Sequence, residues 1–267
     1  MDNNKKNNKI LSIFNKMKQI SAVEYPDTIN PNEYTSVEQF IRIFTNHYHG
    51  PGFGTSVEEN ITVVLNSKNY GIITMPASKA FKHDDKTIFN LSKLIAKMEP
   101  KVKGWVIDLR SNTGGSINVF ALFSLIFIPK EYEGILWTIM KSNNDILHEA
   151  STYNDVLYLR YKYSQNMHVI NLNKLHRTKN NNEIVILVDQ YSFSGSEFVC
   201  LILKSFGAKI YGNFDQSGGA LNLSCGYLVT DDMNMYFPNA FVYDKNNLKH
   251  YIYLETSGEI KDKYLLP

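Results

Sequence analysis

The chain has 267 residues, of which 43% are hydrophobic and 13% aromatic, enough apolar material for one large domain or two small ones. A formal net charge of +2 creates no field toward nucleic acid or a membrane surface. Two cysteines, Cys200 and Cys225, sit in apolar stretches and read as reduced packing residues, not as a disulfide framework or a metal site.

The N-terminal stretch MDNNKKNNKILSIFNKMKQ is polar before a short apolar patch broken by Asn15, Lys16 and Lys18, which excludes a signal peptide and points to a cytoplasmic protein. A polar tail leads into an amphipathic helix with Ile10, Leu11, Phe14 and Met17 on one face. After a loop with Pro26 and Pro31, Thr35 or Ser36 caps a second helix whose apolar side carries Val37, Phe40, Ile41 and Phe44. It stops at NHYHGPGFGT, which leaves His47 and His49 at the helix end, where a histidine also suits the C-terminal dipole.

Strand-like stretches at Ile61 to Leu65 and Tyr70 to Met75 flank the turn NSKN. Thr87 to Met98 predicts a helix with Ile88, Leu91, Leu94, Ile95 and Met98 on one side, closed by Pro100. The strand Gly104 to Leu109 runs through RSNTGGS into a helix over 117–128. Its run Val119 to Ile128 is too short to span a bilayer and reads as buried. Ile135 to Met140 is strand-like, and the tyrosine-rich section Tyr153 to Tyr163 has no clear period.

The apolar run Ile184 to Val188 stops at Asp189-Gln190, and a turn of small residues enters a helix through Phe198, Val199, Leu201 and Ile202. A short strand (Ala208 to Tyr211), a glycine loop, hairpin strands Gly226 to Thr230 and Met233 to Phe237, and the stretch Tyr251 to Leu254 complete the chain. Strands alternating with helices give an α/β core. Residues 1–60 form a small helical lobe and 61–267 the core.

Two turns between a buried strand and a helix carry chemistry. In GWVIDLRSNTGGS, Gly114 and Gly115 allow close approach of backbone to a ligand, while Asp108 and Arg110 read as a structural pair. In the second turn, YSFSGSE, three serines compete: Ser192, Ser194 and Ser196. A serine there is held by rigid elements on both sides, and helix-start amides face any anion formed beside its oxygen. Taken alone, Ser194 with Glu197 is only a capping-box spacing.

The order of segments resembles the tail-specific and tricorn-type serine peptidases of the S41 class. KGWVIDLRSNTGG (103–115) is similar to the family's strand and glycine turn, VILVDQYSFSGSE (185–197) to its nucleophile turn, and KIYGNFDQSGGALN (209–222) to the glycine loop after the nucleophile helix. NYGIITMPA (69–77) is similar to the opening core strand, and the likeness spans roughly residues 35 to 262. It implies a ClpP/crotonase-like core, Ser194 as nucleophile, and oxyanion donors at the amides of Gly195 and of Gly115 or Gly114. The lysine base of bacterial tail-specific members has no counterpart, because no lysine occurs from Ile210 to Val242. The tricorn-like arrangement implies instead a histidine base, His47 or His49, and a late glutamate, Glu255. The family's acid two residues before the histidine is missing for both candidates, and only about twenty residues separate these histidines from the core strand, too few for the family's PDZ module.

The expected chemistry is acyl transfer on a peptide or unfolded protein. A neutral imidazole takes the serine proton, Glu255 fixes its tautomer, and two amides bind the oxyanion, each stabilising the transition state by about 3 kcal/mol. Glu197 reads as a dipole partner at its helix start. No metal, cofactor, nucleic acid or membrane is called for, and oligomeric state is open. His83, His148, His168 and His250 are scattered and read as surface residues. Two alternatives stand beside the peptidase: a peptide-binding pseudopeptidase with an incomplete base, and a crotonase-like thioester enzyme that would not need Ser194.

Overall fold

A computed structural model of the chain describes residues 3–20, 27–37, 39–40, 61–75, 85–141, 144–162, 167–179, 182–189, 191–192, 194–212, 224–230, 233–238, 240–246, 249–250 and 262–264. Helix α1 (Asn3–Ile20) precedes β1 (Thr62–Leu65), β2 (Tyr70–Thr74), α2 (Asp85–Met98), β3 (Gly104–Asp108) and α3 (Ile117–Ser124). Then come β4 (Gly134–Met140), β5 (Ile146–Tyr153), β6 (Val156–Tyr161), β7 (His168–Asn171), β8 (Glu183–Val188), α4 (Gly195–Ser205) and β9 (Lys209–Gly212). Strands β10 (Ser224–Thr230), β11 (Met233–Pro238), β12 (Phe241–Asp244) and β13 (Lys249–His250) follow.

The central sheet has the order β1-β2-β3-β8-β9, with β2, β3, β8 and β9 parallel and β1 antiparallel on one edge. Parallel strands with both faces covered read as continuous apolar runs, and GWVID of β3 is buried at every position. Alternate residues divide the two faces. Ile73, Trp105, Ile107, Ile186, Val188 and Ile210 join a large core with α2, α3 and α4. Ile72, Val106, Val185, Leu187 and Tyr211 face the other way, with Tyr264 against them.

At the amino end of the strands, the Tyr70 and Tyr264 hydroxyls donate to Glu183 at 2.8 and 3.0 Å, which fastens the turn at 262–264 to the sheet. Burial alone would raise the Glu183 carboxyl, but these two hydroxyls with Lys263 and Lys209 hold it below the usual carboxylate range.

A second sheet, β13-β12-β4-β5-β6-β7, is antiparallel throughout, and its inner residues Leu136, Trp137, Ala150, Leu157 and Leu159 share the large core. The section from 153 to 163 that lacks a clear period is therefore the tip of β5 and the whole of β6. Asn154 and Asp155 both have positive φ, as a two-residue type I′ hairpin turn requires, and set Tyr153 opposite Val156.

The predicted helix over 117–128 is α-helical to Ser124 and continues as a 3-10 turn, Leu125–Phe127. All of Val119 to Ile128 is buried, as expected of a helix enclosed on every side. Two apolar faces need correction. Leu11 of α1 is exposed while Ile13 is buried beside Ile10 and Phe14, and Leu94 of α2 is exposed beside buried Leu91 and Ile95. In both helices the buried set follows one stripe, and the discrepant leucine lies off it. Ser36 accepts the N–H of Gln39 at 3.1 Å, so the expected cap is formed there. Among the described residues no helix is long and apolar enough to cross a membrane.

Candidate active site

Strands β3 and β8 are neighbours in register, Asp108 opposite Leu187, so the turns that follow them leave the same sheet end side by side. In open α/β sheets this carboxyl end is where ligands bind. The ladder extends one step further through Leu109 N–H to the Leu187 carbonyl at 2.9 Å.

Beyond that point side chains hold the turns together. The Ser192 hydroxyl donates to the Leu109 carbonyl at 2.8 Å and accepts the Asp189 N–H at 3.0 Å. The Asp189 carboxylate accepts the Ser111 N–H at 2.9 Å, the Ser111 hydroxyl at 3.1 Å and the Tyr191 N–H at 2.9 Å. From the start of α4, the Ser196 hydroxyl donates to the Asn112 carbonyl at 3.0 Å. Asn112 in turn donates to the Met75 carbonyl at 2.6 Å, tying in the end of β2, and its Oδ1 accepts the Gly114 N–H at 2.8 Å.

Ser194 stands at the corner itself, with φ 56° and ψ −119°. A non-glycine residue at positive φ is held there only by its surroundings, at a cost on the order of 1–3 kcal/mol. Here the surroundings are explicit: its N–H donates to the Glu197 carboxylate at 2.7 Å, and its carbonyl accepts the N–H groups of Glu197 and Phe198 at 2.9 and 3.2 Å. Gly195, the first residue of α4, lies against α3, and a Cβ built on it would stand 2.2 Å from the Phe120 ring. Only a glycine lets the two helices approach this closely.

Of the three competing serines, two are consumed by the scaffold. Ser192 and Ser196 are fully buried and bonded to carbonyls of the first turn, whereas Ser194 is half-buried. Gly114 and Gly115 have φ 84° and 152°, backbone that favours glycine. The Gly114 amide is taken by the Asn112 Oδ1. Asp108 and Arg110 form the expected pair, Nε to Oδ1 at 2.9 Å and Nη2 to Oδ2 at 2.6 Å. Burial, with the Glu197 carboxylate nearby, pushes the Cys200 thiol far above its usual range, so it is no rival nucleophile.

The model of peptidase family S41 matches residues 69–249, a segment that contains both turns. The chain belongs to that family. Comparison with curated proteins gives no match. Among solved structures, the chain is similar to a lipoprotein from Streptococcus agalactiae, with 14% identity and a TM-score of 0.52, over 95% of this chain and 91% of that one. It is also similar to the photosystem II D1 C-terminal processing protease, with 16% identity and a TM-score of 0.50, over 78% of this chain and 50% of the other. At these identities the likeness is one of fold, and the chain spans only half the length of the processing protease.

His47, His49 and Glu255, expected as base and orienting acid, lie outside the described residues, as does the glycine loop at 217–219. From the predicted set, the turn with Ser194 and Gly195 is joined to the turn with Gly114 and Gly115 through Ser196 and Asn112. Asp189 and Asn112 are the residues that sequence reasoning passed over as turn links. Both are short polar side chains at strand exits, a position from which they reach nearby backbone.

His148 corrects an expectation. It is not a surface residue but 2% exposed, stacked on Trp137, whose Nε1 donates to its Nδ1 at 3.1 Å. Burial lowers its pKa to about 4, so the ring is neutral in the folded core. His168 is exposed, as expected. Among the described residues no group of three or more histidine, cysteine or acidic side chains could hold a metal ion.

Proposed function

We propose that the chain is an active serine peptidase that cleaves peptides or unfolded protein segments through an acyl-enzyme on Ser194. The observation that carries this reading is the backbone of Ser194, held at positive φ on a strand-to-helix corner beside a glycine turn. Such strain is kept where it serves to present a side chain, since an ordinary cap needs none of it. In the proposed cycle the amides of Gly195 and Gly115 bind the oxyanion, and removal of one such donor costs about two to three orders of magnitude in rate. His47 or His49 takes the hydroxyl proton and returns it to the leaving amine, with Glu255 orienting the ring.

The substrate is gripped as an extended strand at the sheet edge near the glycine loop that follows β9, an edge strand of the central sheet among the described residues. Whether the bond cut is internal or near a carboxyl terminus belongs to the same proposal, with the processing-protease neighbour supporting the second. A cytoplasmic setting, expected from the polar N-terminal stretch, is likewise part of it. Membership of a peptidase family removes the main support for the thioester alternative.

A fluorophosphonate probe tests the reading. Covalent labelling is expected in the unaltered chain and should vanish in Ser194→Ala. It should slow by orders of magnitude in whichever of His47→Ala and His49→Ala removes the base. Absence of labelling in well-folded protein would establish the pseudopeptidase instead, and labelling as fast as the parent's in both histidine variants would refute the assignment of the base.

A further inference from the structure

A cleft of about 620 Å³ opens between α2 and the end of β7, and it shares no residue with the turns around Ser194. One wall is a single stripe of α2, with Lys86, Phe89 and Lys93 at i, i+3 and i+7. The other is formed by Asn171, the last residue of β7, with Asn173 and Lys174 in the turn after it. Phe89 is partly buried against the core and gives the cleft an apolar floor, while the three lysines are exposed.

Among the described residues no carboxylate lines the cleft, and none of the three lysines has an ion-pair partner. Three positive charges around one concavity repel each other and focus an attractive field for an anion. Beside them, β7 ends the six-stranded sheet among the described residues, leaving an outer edge with which an extended chain can pair.

We propose that this cleft is a binding site for an extended acidic peptide segment. The strand edge and the asparagine amides take the peptide backbone, Phe89 takes an apolar side chain, and the lysines take carboxylates. Nucleic acid fits less well. The chain as a whole carries only +2, and among the described residues the lining offers no arginine and a single aromatic ring, Phe89, where single-strand binding stacks successive bases on several. The site does not depend on hydrolysis at Ser194.

The test is fluorescence anisotropy of a labelled decapeptide of alternating glutamate and valine, against its lysine and valine counterpart, on the full chain with and without Ser194→Ala. The glutamate peptide should bind at low salt about tenfold or more tighter than the lysine peptide, equally with and without Ser194, and should weaken as salt rises. A triple variant, Lys86→Glu with Lys93→Glu and Lys174→Glu, should reverse the preference, while Lys5→Glu on α1 should leave it unchanged. If the triple variant does not melt as the parent does, single Lys93→Gln and Lys174→Gln variants carry the test, each with a several-fold loss. Equal binding of both peptides overturns the proposal, as does a charge-altered, folded variant with unchanged affinity. So does a single-stranded oligonucleotide that displaces the label more strongly than unlabelled glutamate peptide.

Discussion

The Glu197 carboxylate accepts the backbone N–H of Ser194 at 2.7 Å, one helical turn back along α4. Glu197 is fully buried, so this contact is made without competition from bulk water and fixes the corner on which Ser194 sits. Glu197→Ala should lower stability by roughly 1–3 kcal/mol and slow probe labelling of Ser194 strongly, because the corner loses its anchor. Glu197→Gln keeps an acceptor oxygen and should recover most of the labelling. If the glutamine variant labels as poorly as alanine, the negative charge itself matters and the anchoring role is wrong.

Asp189 joins the turn that carries Ser194 to the turn that carries the glycine pair through Ser111. Asp189→Ala should leave substrate affinity close to that of the parent but reduce kcat, by up to about a hundredfold if the oxyanion amides drift out of line. Asp189→Asn still accepts the Ser111 and Tyr191 N–H groups and should lose much less. Steady-state kinetics with a peptide substrate separates kcat from KM, and a loss confined to KM would contradict this role.

The contact of Gly195 with Phe120 makes a steric prediction. Gly195→Ala places a methyl group inside the Phe120 ring contact and should destabilise the chain by about 1–3 kcal/mol, measured by urea unfolding. Adding Phe120→Leu opens the space, so the double variant should be more stable than the sum of the two single changes predicts. Strict additivity would show that the two residues do not meet.

His148 gives the fold a dependence on acid. Its ring titrates at about 4 in the folded chain against an ordinary 6.5. Between these values the unfolded chain binds a proton that the folded chain refuses. The stabilisation is therefore complete above pH 6.5 and is lost as pH falls toward 4, by roughly 3 kcal/mol. His148→Gln keeps an acceptor for Trp137 and removes the titrating ring, so its stability should fall less over this window. Parallel slopes for parent and variant would rule the histidine out as the cause.

The central sheet and both turns were legible because their signals are local. An apolar run such as IVILV ends at a polar residue, small residues follow, and a new apolar period begins. The second sheet was half hidden. Leu157 and Leu159 alternate correctly, but the intervening Tyr158 and the flanking Tyr153 and Tyr161 are also large and partly apolar, which blurs the period of two. The Asn154-Asp155 turn was the clearer sign. His148 was misjudged for a related reason: it shares one face of β5 with Ala150 and Thr152, all three buried, and only that pairing of positions reveals it. Asp189 could be read as a strand end but not as a bridge, because its partner Ser111 lies 78 residues away in the chain.

The backbone twist at Ser194 has an evolutionary consequence. Glycine tolerates φ 56° far better than serine, so Ser194→Gly should give a hardier protein, one that melts later and forms no acyl-enzyme. Selection for robustness alone would erode this corner. Serine is the costlier residue for the fold at this corner, the trade expected of a chain that carries out the cleavage proposed above.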